Sequence, residues 1–199
     1  MKAMNGEATA LNDSFTKEFI AEEWVEDEFH LFESKTGQYR MLFPDQFQMI
    51  SDPPEYYGRR GNGFEIWSAL IYDETNDGIS YEFRVMFRES EADLSRTRLN
   101  IMLESHSYQN QYEELETNET LIYHGSSFWD SSDPSGDKKD PSKFDANRFF
   151  GLVLDPKANR SVEFVYSTVC YKEELGCELN PAQQYELALN LMKSIKFLD

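Results

Sequence analysis

The chain has 199 residues, 40% hydrophobic and 15% aromatic: enough apolar mass for one packed domain, and too many rings for a disordered chain. Its 19 basic residues stand against 37 acidic ones, a formal net charge of −18 that repels phosphate backbones and anionic headgroups and argues against nucleic-acid binding. No run long and apolar enough to span a membrane occurs, and the opening Met1-Lys2-Ala3-Met4-Asn5-Gly6-Glu7 lacks the apolar stretch of a secretory signal.

Residues 1–13 read as a flexible leader and 14–199 as a single domain. Ser14 is placed to cap a helix in which Phe15, Phe19, Ile20 and Trp24 recur at helical spacing, with carboxylates between them. From Phe29 the period changes to two. Phe29 and Leu31, then Tyr39, Met41 and Phe43, predict a hairpin around Lys35-Thr36-Gly37 that Pro44 stops. A loop over 51–63 follows. A second hairpin joins Phe64–Tyr72 to Ile79–Phe87 through the turn-forming Thr75-Asn76-Asp77-Gly78.

A helix is expected from Ser90 to about Tyr112, then a strand over Leu115–His124. The Ser-, Asp-, Pro- and Lys-rich stretch 125–147 reads as a surface insertion. Arg148–Leu154 and Val162–Val169 form a third hairpin, and Asn180 caps a final helix with Pro181 at its first position. Hairpins and helices without βαβ alternation give an α+β class: an antiparallel sheet of about six or seven strands flanked by helices.

Two stretches carry a family resemblance. Thr36-Gly37-Gln38-Tyr39-Arg40-Met41-Leu42-Phe43-Pro44 and the closing Ala188-Leu189-Asn190-Leu191-Met192-Lys193-Ser194-Ile195-Lys196-Phe197 resemble the Mog1/PsbP-like family, which includes many small bacterial lipoproteins. The resemblance covers roughly residues 28–197. It departs at Phe47, where the family usually has Trp, and at the 125–147 insertion. It implies a non-enzymatic accessory or binding protein of the cell envelope, tethered by a lipid-modified Cys preceding Met1, and it offers no catalytic residue to carry over.

The candidate chemistry is sparse. Cys170 and Cys177 are the two cysteines; a disulfide between them would close a short loop worth roughly 2.5 kcal/mol in the chain-entropy model, the alternative being two separate thiols. His30, His106 and His124 fall on three different elements without metal-ligand spacing and read as structural. Asp73-x-Thr75-x-Asp77-Gly78 copies the start of a calcium loop, but Arg84 stands where a bidentate Glu is needed. Asp130, Asp133, Asp137, Asp140 and Asp145 are interleaved with lysines, as in a solvated loop. No metal or cofactor is expected.

Tyr56, Tyr57, Arg59 and Arg60 are residue types enriched at interfaces, and they make 51–63 the candidate loop for contact with a protein partner. The membrane would be met only through a tether. A second reading is a cytoplasmic acidic inhibitor or immunity-type protein that binds a basic partner, motivated by the net charge. A third is an enzyme whose site is assembled only in space.

Overall fold

The fold is taken from a computed structural model, which describes residues 9–71, 78–130, 133, 137–170 and 179–199. The chain opens with α1 (Ser14–Lys17), capped by Asp13, whose Oδ2 accepts from the Thr16 amide at 2.7 Å and hydroxyl at 2.6 Å. The helix expected through Trp24 ends there. In its place β1 (Ile20–Glu26) pairs antiparallel with β2 (Phe29–Glu33) through two register irregularities, and Trp24 takes a positive φ of 56°. Irregular pairing re-aims side chains, so the spacing of rings that imitates a helix belongs to a distorted edge strand. Of the stretch read as a leader, residues 1–8 lie outside the described residues, and Ala10 is fully buried with its amide on the Asp45 carbonyl at 2.7 Å.

β2 and β3 (Tyr39–Pro44) form the expected hairpin, with Gly37 at φ 70° in the turn, a conformation that suits a residue without Cβ. With the C-terminal β13 (Lys196–Phe197) they complete a four-stranded sheet of order β1-β2-β3-β13.

Among the described residues the second sheet has nine strands, so the expected six or seven is too few. Its edge strands β4 (Gln48–Met49) and β5 (Tyr57–Arg60) both pair with β6 (Phe64–Leu70). The centre is β7 (Ile79–Glu89), β12 (Arg160–Cys170) and β11 (Arg148–Leu154), followed by β9 (Leu121–Trp129) with β8 (Glu113–Glu116) and β10 (Lys138–Lys139) on its outer edge. β5 replaces the middle of the expected 51–63 loop. β9 runs to Trp129, so the 125–147 insertion leaves the sheet later than its polar composition suggests. The turn residues Thr75, Asn76 and Asp77 lie outside the described residues.

α2 (Ser95–His106) is shorter at both ends than expected, and α3 (Pro181–Lys193) starts at Asn180, whose Oδ1 accepts from the Ala182 and Gln183 amides. α2 covers the outer face of β11, where Leu99, Met102 and Leu103 meet Phe150 and Leu152. The inner face of the large sheet packs on the small sheet and α3. There Phe83 lies 4.7–5.9 Å, centroid to centroid, from Phe43, Phe47, Trp67 and Phe164. Gly151 lets α3 approach β11, since a Cβ would sit 2.2 Å from Met192 Sδ. Asp155 and Arg160, paired at 2.6 Å at the β11–β12 turn, tie the large sheet to the C-terminus, because Arg160 also donates to the Leu198 carbonyl.

Candidate functional site

Three of the candidate contact residues, Tyr57, Arg59 and Arg60, sit on β5, and Tyr56 lies in the turn just before it. Tyr57 pairs with Trp67 and Arg59 with Glu65, so these two share one face, while Arg60, paired with Phe64, occupies the alternate one. Tyr57 and Arg59 line an open groove of about 610 Å³ with Phe15, Phe19, Pro53 and Pro54; Tyr56 and Arg60 do not line it. The three rings meet edge to face, with Phe15 and Phe19 each 5.4 Å from Tyr57. The Lys35 ammonium stands 4.8 Å over the Phe19 ring, donates to the Glu18 carbonyl at 2.5 Å and lies 3.8 Å from its carboxylate. Arg59 Nη1 donates to the Lys35 carbonyl at 2.5 Å. The groove thus has an aromatic floor with cations at its rim, and the described residues that line it include no nucleophile–base pair.

Behind the groove lies a group the sequence analysis passed over. Glu65 is fully buried and accepts from Ser34 Oγ at 2.6 Å, the Lys35 amide at 3.0 Å and Tyr39 Oη at 3.4 Å. Tyr39 Oη in turn accepts from Trp67 Nε1 at 2.8 Å. Burial raises the Glu65 carboxyl above its ordinary range, opposed by its hydrogen bonds from Ser34, Lys35 and Tyr39. The Tyr39 phenol is also pushed up, by burial first and by Glu65 second. Chemically this is a clasp: one carboxyl fastens the β2–β3 turn of the small sheet to β6 of the large one. The sequence signal was weak, because β6 is buried on both faces and Glu65 shares its face with Trp67 and Ala69 while Phe64, Ile66 and Leu70 alternate with them.

The histidines remain apart and are held structurally. His30 Nδ1 accepts the Trp24 amide at 3.1 Å, so Nε2 carries the proton and donates to Asp45 Oδ1 at 2.8 Å. His124 Nδ1 is 2.6 Å from Tyr185 Oη; burial lowers the imidazole and pushes the phenol up to about 12. His106 Nε2 lies 3.7 Å from Glu163, and its buried Nδ1 has no hydrogen-bond partner among the described residues. In the acidic segment Lys139 sits 2.9 Å from Asp130 and 3.9 Å from Asp133, above the Phe144 ring. Among the described residues no three His, Cys, Asp or Glu side chains gather to hold a metal ion. Cys170 is the last residue of β12, and Cys177 lies outside the described residues.

No solved structure matches the chain. Among curated proteins it is similar to the "Putative lipoprotein YvcA" of Bacillus subtilis (strain 168), at 26% identity over 199 residues that cover 95% of this chain and 76% of that protein. A family model described as "Putative lipoprotein YvcA" matches residues 6–196, nearly the whole length, and the chain therefore belongs to this YvcA/Mog1p family of Mog1/PsbP-like lipoproteins.

Proposed function

We propose that this protein is a non-enzymatic binding or accessory factor of the cell envelope, held at the membrane by a lipid tether, that captures a protein partner on the groove beside β5. The observation that carries the reading is the groove itself: the half-buried rings of Phe15 and Tyr57 face it over the buried Phe19, with Lys35 and Arg59 at its rim. Membership of a lipoprotein family supports the tether. Among the described residues no helix is long and apolar enough to cross a membrane, so attachment is assigned to lipid rather than to a helix of this domain. The site acts by mass action: rings exclude water from the partner's apolar side chains, and the rim cations orient it.

In this reading Cys170 and Cys177 form a disulfide just beyond β12, as suits a protein outside the reducing cytoplasm. Reduction would then cost roughly 2.5 kcal/mol of stability in the chain-entropy model.

The test is photo-cross-linking on intact membranes from a probe placed at Arg59. A discrete cross-linked partner, lost when Tyr57→Ser is added while the fold survives by circular dichroism, supports the groove. An identical adduct with and without Tyr57 contradicts it. The charge of −18 favours a second reading, a cytoplasmic protein that neutralises a basic partner. Capture that collapses as salt rises, by a chain found in the cytosol, would select it.

A further inference from the structure

The outer face of the large sheet is only partly covered. α2 lies over β11 and β9, and next to its last residue a cleft of about 310 Å³ opens over β11, β12 and β7. That volume is in the range of small-molecule sites.

The floor of the cleft follows from strand register. One row across the three strands reads Arg148, Ser167, Glu82; the next reads Phe150, Val165, Arg84; the third reads Leu152, Glu163, Met86. Residues two apart share a face, so the four charges and the apolar Val165 and Met86 project to the same side. His106 closes the far end, its ring 6.3 Å from Phe150 and its Nε2 3.7 Å from Glu163.

These charges are not spent on one another. Among the described residues no ion pair joins Arg84 or Arg148 to Glu82 or Glu163, although both signs are present in equal number. The Arg148 guanidinium lies 4.3 Å from the Trp129 ring centroid and its Nε donates to Ser167 Oγ at 3.3 Å. That arrangement fixes the fork while leaving its terminal nitrogens for a bidentate acceptor. Burial works against the Arg148 charge and Glu82 works for it, so the pair interacts without touching. Their backbones are two strand spacings apart, about 10 Å, with the Ser167 hydroxyl between them.

We infer that this cleft binds a small zwitterion of the free amino-acid class, its carboxylate on Arg148, its ammonium group on Glu82 and its side chain over Val165 and Met86. A simple anion would be opposed by the two glutamates, and a simple cation by the two arginines. A molecule that carries both charges close together answers both, and the apolar strip toward His106 receives its body. The site lies on the sheet's outer face and is independent of the groove beside β5.

The experiment is calorimetric titration of the full chain with each of the twenty free L-amino acids. The expected result is saturable binding of at least one, weakened about tenfold or more when its amine is acetylated and again when its carboxylate is converted to the amide. Arg148→Gln and Glu82→Gln should each weaken it by a similar factor while melting like the parent. The blocked ligands keep the test decisive if either variant fails to fold. No binding of any amino acid at millimolar concentration overturns the inference, as does binding indifferent to acetylation and amidation.

Discussion

Along β7, Phe83, Val85 and Phe87 point inward and are completely buried, whereas Glu82 and Arg84 point outward into an open cleft. The same alternation runs along β12, where Val162, Phe164 and Tyr166 are sealed and Glu163 and Ser167 face outward. One strand thus serves two ends. Its inward residues are specified by close packing, and its outward residues are free to be chosen for what they bind. The groove lies along an edge strand, where Phe15 and Tyr57 pack on the core and keep one side open, and the charged cleft lies on the outer face beside the end of α2.

The largest effect that would sharpen this contrast is at the centre of the inner face. Phe83→Ala should cost about 3–5 kcal/mol by chemical denaturation, because it opens a cavity among four packed rings. A cost below about 1 kcal/mol would break the assignment of that face as the core. Gly151→Ala should cost about 1–3 kcal/mol, since its methyl would meet Met192 Sδ and push α3 off β11. Met192→Ala in the same chain should return part of the loss caused by the clash.

Glu65 gives a smaller, pH-dependent effect. Its carboxyl is raised in the folded state, so the native chain takes up a proton more readily than the unfolded one. The resulting contribution to stability is complete below the ordinary carboxylate range and is lost as pH rises through the raised native value. Glu65→Gln should remove that slope: denaturation free energies of parent and variant should move apart across that window, with the parent losing ground toward neutral pH. A constant difference would show that Glu65 titrates normally. Smallest of all, Arg84→Gln on the outer face should change stability by no more than about 0.5 kcal/mol. A larger loss would mean that the cleft belongs to the packed structure after all.

Much of the inner face was legible in the sequence, because period two is strict where one side of a strand is buried. The hairpins at Phe29–Pro44 and Arg148–Cys170 and the capped α3 follow from that rule and from Asn180-Pro181. The edges were less legible. Tyr57-Gly58-Arg59-Arg60 has no β-branched residue and is flanked by Gly and Pro, yet it becomes a strand because β6 offers it a free edge. β1 imitates a helix because its pairing is irregular and Trp24 is turned outward, with 55% of its surface exposed.

The candidate sites divide the same way. Tyr57 and Arg59 could be nominated by residue type, but only the β5–β6 register separates them from Arg60, and only the start of β5 separates them from Tyr56. Arg148, Glu82 and Ser167 come from three strands brought together by long-range pairing, and no local pattern announces that row. Glu65 was not legible from alternation, because β6 is buried on both faces and its partners Ser34, Lys35 and Tyr39 come from the other sheet.

The central claim, that this scaffold works as a tethered binding protein of the envelope, is met most directly by the intact mass of the protein isolated from its native membrane fraction, before and after reduction and alkylation. The account predicts a chain carrying a diacylglyceryl-type lipid addition, with Cys170 and Cys177 alkylated only after reduction. An unmodified chain from the soluble fraction, with both thiols alkylated at once, would contradict it.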